Sequence, residues 1–415
     1  MSNVPKGQGA YASLRIKEYR LFISARFCAT LAIQIQAVVV AWQVYDITKD
    51  PLSLGLIGLA EAIPSISVAL YAGHVADTIE RKKIIVTAMS ILLFCSVALT
   101  FFTLKPGAFI LSAGVVPIYA IIFISGIARG FITPATFSFM PQLVPRELYT
   151  NAVTINSSLW QAAAILGPSL GGMLYGFIGI TASYIADVLL MATSLSLFGF
   201  IKSRPLPPST EEQGVFEKIK AGLKFVFNHQ IILGALSLDL FAVLFGGAVA
   251  LLPIFTEEIL HIGKWGLGVL RSAPAVGALL MATYLVHYPI KKNLGKILLS
   301  SVAGFGLAMI VFALSTNFWL SLFVLILSGA FDGVSVIARS TLLQTLTPEH
   351  MKGRVSAVNN IFIGSSNEIG SFESGVAARL LGTVPSVIFG GCMTIFVVGI
   401  TGWKAKKLRN LQQVS

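Results

Sequence analysis

The chain has 415 residues, of which 55% are hydrophobic and only 12% charged, and its net charge is +12. An ordinary soluble domain carries about 25% charged residues, so this composition excludes one and points to lipid as the solvent. The positive charge does not mark a nucleic-acid binder, because it is spread over short connections rather than gathered on one surface.

Apolar runs of roughly 20 residues, the length that spans a hydrocarbon core, predict helices over 19–44, 53–76, 84–104, 112–137, 150–175 and 179–201. Six more follow over 229–255, 264–289, 295–315, 317–343, 353–381 and 384–403. The first twenty residues are polar and basic and do not read as a signal peptide. Between the two sets, 202–228 opens with the proline-rich SRPLPPSTEEQ, which suits a flexible linker. FEKIKAGLKFVFNH follows. Its Phe216, Ile219, Leu223 and Phe225 or Val226 fall on one side, which predicts an amphipathic helix on the membrane surface. The expected organisation is a six-helix bundle over 1–201, a linker over 202–228 and a second bundle with its tail over 229–415.

The chain has 30 Lys and Arg. Arg26, Arg129, Arg271 and Arg339 fall within spans; Lys49, Lys105, Lys264 and Arg379 fall on odd-numbered connections. The remaining 30 − 4 − 4 = 22 sit on even-numbered connections and the tails, among them Arg81, Lys82 and Lys83. That bias predicts both termini on the cytoplasmic side. Cys28, Cys95 and Cys392 lie in apolar spans and suggest neither a disulfide framework nor a metal site. The five His are scattered without ligand spacing.

The second half re-reads the first. At a shift of 203 (329 − 126), Gly126 meets Gly329, Gly130 meets Gly333, Pro145 meets Pro348 and Asn156 meets Asn359. Inside an apolar chain such a repeat implies two bundles related by a pseudo-two-fold axis, with a site near the bilayer midplane between them.

GHVADTIERKK at 73–83 resembles the cytoplasmic signature of the major facilitator superfamily through Gly73, Ala76, Asp77, Arg81 and Lys82, while Thr78 and Glu80 depart from it. GPSLGG at 167–172, with Gly167, Pro168, Gly171 and Gly172, resembles the motif of that superfamily's antiporters. Arg129 stands where the superfamily carries an embedded Arg. The opening LRIKEYRLFISARF and DLFAVLFGGAVALLPIF of span seven are similar to the branch of enterobactin-type siderophore exporters and macrolide efflux pumps. The resemblance implies the major facilitator fold and transport by alternating access. Physically, Gly73 permits close packing and Asp77 near the helix end answers Arg81 and Lys82 with the opposite charge, so the four read as a conformational latch between helices. In physical terms, Pro168 removes a backbone donor and the glycines remove side chains, so span five can bend and approach a partner closely.

An ionisable group at the centre of a span costs roughly 2.5–3.5 kcal/mol and usually faces a cavity or a partner. At the shift of 203, Arg129 maps onto Asp332; at 210 (271 − 61), Glu61 maps onto Arg271 and Pro64 onto Pro274. Arg26 falls within about one turn of the position equivalent to Asp239. Equivalent sites therefore carry opposite charges, and a proton or charged substrate can break a pair. The expected proton carriers are Glu61 first, then Asp239, Asp332 and Glu368. The expected substrate cavity comprises Arg26, Gln34, Arg129, Asn156, Trp160, Phe241, Phe245 and Arg271. Arg339 reads as a residue of the cytoplasmic end, and Asp187 has no evident partner.

The reading is a non-enzymatic secondary transporter: a proton-coupled exporter of an organic compound such as a siderophore or drug. It is expected in a bacterial inner membrane as a monomer, with no cofactor but the proton gradient, no metal and no nucleic acid. An uptake symporter or a lysophospholipid-flippase-like transporter of the same fold is the alternative.

Overall fold

The computed structural model describes residues 12–104, 114–204, 215–288, 290, 292–348 and 351–411. They form helices and no strand. The first half contains α1 (Lys17–Thr48), α2 (Pro51–Thr78), α3 (Arg81–Phe102), α4 (Val116–Phe139), α5 (Tyr149–Phe177) and α6 (Ile180–Gly199). The second contains α7 (Gln230–Phe245), α8 (Gly263–His287), α9 (Leu294–Leu314), α10 (Phe318–Leu346), α11 (Lys352–Leu381) and α12 (Thr383–Lys404). Among the described residues, ten segments are both long and apolar enough to cross a membrane. The exceptions, α5 and α11, have 29 and 30 residues but are more polar. Both lie between the halves, where a helix need not face lipid.

Helix ends follow local chemistry. Asp50 caps α2, accepting from the Leu52 N–H at 3.4 Å, with Pro51 in the first turn. Asn317 caps α10 by accepting from the N–H groups of Trp319 and Leu320 at 2.9 and 3.1 Å. The tight turns from α5 to α6 and from α11 to α12 are made by Gly179 (φ 100°) and Gly382 (φ 93°), a region that suits glycine. Those two glycines are themselves 203 residues apart.

The repeat extends to packing. α1 packs on α5 and α6, α2 on α4, and α3 on α4 and α6; in the second half α7 packs on α11 and α12, α8 on α10, and α9 on α10 and α12. Between the halves α2 packs on α11 and α5 on α8. In lipid, such contacts rely on small residues that let backbones approach.

Two expectations need correction. Span seven is not one helix over 229–255: α7 stops at Phe245, Gly246 and Gly247 are non-helical, and short turns carry the chain on to Ile259. Gly247 packs on the Gly370 carbonyl and Gly246 on the Phe305 ring, so the glycine pair trades helix for close approach. The linker helix (Val215–Asn228) does not offer its whole apolar side to lipid. Val226 is fully buried with Ile232, Leu236, Met351 and Val355, and Gly222 abuts the Arg354 backbone. Among its described residues, Leu223, Phe225 and Val226 pack toward α7 and α11, while Phe227 stays exposed.

Candidate functional site

Four glycines set the site. Gly126 of α4 meets the Glu61 carbonyl and the Pro64 ring of α2, and Gly130 meets Ser65 one turn on. In the other half Gly329 of α10 meets Pro274 of α8, and Gly333 meets Ala278. A Cβ at Gly126 would lie 2.6 Å from the Glu61 carbonyl, so only glycine permits this crossing. The approach carries Arg129, three residues along α4, to Glu61, and the two form an ion pair. Arg129 Nη2 also lies 3.5 Å from Gln36 Oε1. Gln36 Nε2 donates to Asp187 Oδ2 at 3.2 Å. Glu61, Arg129, Gln36 and Asp187 thus connect α2, α4, α1 and α6. Gln36 is one of the span-one amides, with Gln34 and Gln43, that the sequence offers for the cavity, and it lines it; Asp187, which has no evident partner in the sequence, is explained by Gln36.

The pair borders a cavity of ≈ 460 Å³ between the halves. Gln34, Gln36, Glu61 and Arg129 line it from the first half, and Arg271, Asp332, Asn367 and Ser371 from the second. Gly246 and Gly247 line it too, so backbone groups released by the α7 break border a cavity rather than lipid. The volume falls within the range of small-molecule sites. The same glycine crossing that carries Glu61 and Arg129 carries Arg271 and Asp332 with the signs exchanged.

Asp239 does not line this cavity. It forms an ion pair with Arg339, and the two side chains are only 8% and 3% exposed. Arg339 is therefore not a peripheral residue of the chain's end: it crosses from α10 to α7 and neutralises a buried carboxylate. A separate space of ≈ 10 Å³, about one water, is lined by Asp239, Asp332, Val243 and Phe305.

The other predicted residues scatter. Arg26, Asn156 and Trp160 share a small crevice with Thr30, outside the main cavity. Phe241 stacks on Phe245 at 6.3 Å, and Phe245 meets Phe389 of α12 edge-on; neither lines the cavity, because α7 turns that face toward α12. Gly73 and Asp77 lie on α2 and Glu368 on α11, but their side chains lie outside the described residues. Arg81 donates to the Ser138 carbonyl at 3.0 Å and Lys82 to the Gly199 carbonyl at 3.0 Å. These two cations cap the C-terminal ends of α4 and α6, so the contacts described for them stay within the first half. In the adjoining turn, Glu80 accepts from the Ser203 hydroxyl at 3.0 Å and pairs with Lys83 at 3.2 Å; both hold its carboxyl below its usual range.

GPSLGG has two faces. Gly167 and Gly171 pack on Gln34 and Ile35 of α1, while Gly172 meets Gly268 of α8. Ser169 donates to Ser272 at 2.8 Å beside that contact. Gly55 of α2 and Gly375 of α11 make the matching approach. At this same end, opposite the termini, Lys264 lies 3.5 Å from Asp46 and Arg379 lies 3.8 Å from Asp50. Tyr45 donates to Glu258. These contacts join the halves into a roof over the cavity.

Two repeated helical halves, a polar cavity between them and a roof of close glycine crossings define a transporter of the major facilitator type. Residues 8–414 match the family described as transmembrane secretion effector, and the chain belongs to that family. It is a multi-pass membrane transporter and not an enzyme. It is similar to the enterobactin exporter EntS of Citrobacter koseri, at 25% identity over 383 residues, 92% of this chain and 90% of that one. It is 24% identical to the enterobactin exporter EntS of Escherichia coli O1:K1, with the same coverage. Its fold is shared with the nucleoside transporter NupG (TM-score 0.72, 12% identity, 93% of this chain and 99% of that one). It is also shared with an inward-facing bacterial homologue of the iron transporter ferroportin (TM-score 0.70, 17% identity, 96% and 99%).

Proposed function

We propose that the protein is a proton-coupled exporter of an organic compound such as a siderophore or drug, working by alternating access as a monomer in a bacterial inner membrane with both termini in the cytoplasm. The observation that carries this reading is the Glu61–Arg129 pair on the wall of a cavity shared by both halves. A carboxylate held by Arg in reach of water can release its partner when protonated, and a substrate can shift the same balance. The distribution of Lys and Arg supports the orientation. The exporters among its relatives favour outward transport, and the cavity's amides and apolar lining suit a bulky amphiphile. On this reading the roof is the outer gate, which parts to release substrate.

The test is uptake and efflux by everted and right-side-out vesicles, with and without an imposed pH gradient, using siderophores, macrolides and cationic dyes. Gradient-dependent movement out of the cytoplasmic compartment is the expected result. Gradient-dependent movement in the opposite direction would establish a symporter instead.

A further inference from the structure

Arg26 is a cation within a span of the first half for which the described residues supply no counter-charge. Arg129 pairs with Glu61; among the described residues Arg26 makes no ion pair and no hydrogen bond, and its nearest aromatic contact is Phe22, 5.9 Å away. It lies nine residues into α1, within the span. A charge placed there calls for an opposite charge or for water. Arg26, Thr30, Ile33, Gln34, Ala37 and Ala41 recur at three and four residues, so they share one face of α1. From Ile33 onward that face lines the main cavity. Arg26 sits two turns from Gln34 toward the end that carries the termini.

Beside it, α5 contributes Asn156 and Trp160, four residues apart and hence on one face. Arg26, Thr30, Asn156 and Trp160 line one crevice of ≈ 10 Å³, room for about one water, so an oxyanion reaching Arg26 there would leave its ring on the open face of Trp160. Trp160 is 50% exposed, so much of its ring is free to receive a ligand. The set combines an unpaired guanidinium, an amide and hydroxyl for hydrogen bonding, and a flat apolar face. A guanidinium binds a carboxylate or an equivalent oxyanion through two parallel N–H groups, and indole stacks on planar rings.

We infer that Arg26, Asn156 and Trp160 form an entry subsite for the anionic aromatic portion of the substrate, on the terminal side of the central cavity. This deepens the export reading and rests on it for the word substrate. The subsite explains how the charge at Arg26 is balanced in the working cycle. It also makes an aromatic acid, rather than a cationic dye, the favoured cargo.

The experiment uses full-length protein in lipid nanodiscs and equilibrium dialysis with three probes: 2-naphthoate, its neutral analogue 2-naphthamide, and cyclohexanecarboxylate. The expected result is that 2-naphthoate binds about tenfold or more tightly than either of the other two. Arg26→Gln should abolish the preference over the amide, and Arg26→Lys should keep part of it. Trp160→Leu should remove the preference over the non-aromatic acid alone. Arg26→Lys and Trp160→Leu keep the test decisive should Arg26→Gln fail to fold. Equal affinities for naphthoate and naphthamide in the unmodified protein, no binding of either, or a preference that survives Arg26→Gln would overturn the subsite. Vesicle efflux separates the two readings. Gradient-driven efflux with charge-blind binding keeps the exporter and removes the subsite; Arg26-dependent binding without efflux does the reverse.

Discussion

Among the described residues, each half shows an Arg–carboxylate pair within the membrane span, Glu61–Arg129 and Asp239–Arg339, and the two are built for different work. Glu61 and Arg129 are 25% and 20% exposed on the cavity wall; Asp239 and Arg339 are 8% and 3% exposed away from it. A pair that reaches water can exchange a proton without unfolding anything. A sealed pair cannot lose one member without stranding the other, and such losses cost about 3–5 kcal/mol. Location relative to the cavity, and not residue type, decides which carboxylate is available for coupling.

The comparison breaks most easily at the sealed pair. Arg339→Met should destabilise the protein by about 3–5 kcal/mol, seen as loss of the monodisperse peak and a lowered unfolding temperature. Asp239→Leu combined with Arg339→Met should recover most of that loss. Glu61→Gln should cost clearly less than Arg339→Met in the same assay, because Arg129 keeps its access to the cavity and to Gln36. Equal losses for the two pairs would erase the distinction.

The next effect concerns the roof. A Cβ at Gly268 would lie 2.7 Å from the Pro168 carbonyl and 2.8 Å from the Gly172 Cα. Gly268→Val should wedge α5 from α8 at a cost of about 1–3 kcal/mol to the closed roof. Cysteines introduced at Ser169 and Ser272, which hydrogen-bond across the halves, should then cross-link more slowly. Lys264→Gln is expected to do least. The Lys264–Asp46 pair spans 3.5 Å with about a third of each side chain exposed, so it is worth no more than about 1 kcal/mol. Labelling of a cysteine at Gln34 from the outer side should rise by about fivefold or less.

Much of the fold was legible in the sequence because lipid imposes a simple rule on it: long apolar runs become spanning helices. The repeat went further. Gly126, Gly130, Gly329 and Gly333 turned out to be the crossing points of α2 with α4 and of α8 with α10, which is why Glu61 and Arg129 meet. The break at Gly246 and Gly247 was not legible, since two glycines in an apolar run also fit an unbroken helix. Arg339 was misjudged because linear distance from a span's end says nothing about which way a side chain turns. Phe241 and Phe245 failed for a related reason. Their aromatic character suits a ligand, but it suits the α7–α12 contact equally well, and only the packing decides.

The most direct measurement is gradient-driven efflux by Glu61→Gln in proteoliposomes, with substrate binding measured on the same preparation. Gln keeps the shape of the side chain and most of its hydrogen-bonding capacity, but it cannot exchange a proton. If the cavity-lining pair couples transport to the gradient, the variant binds substrate with near-normal affinity and no longer accumulates it against the gradient. Full gradient-driven efflux by Glu61→Gln would contradict the account and move the coupling site to another carboxylate, with Asp332 on the opposite wall of the cavity the first to test.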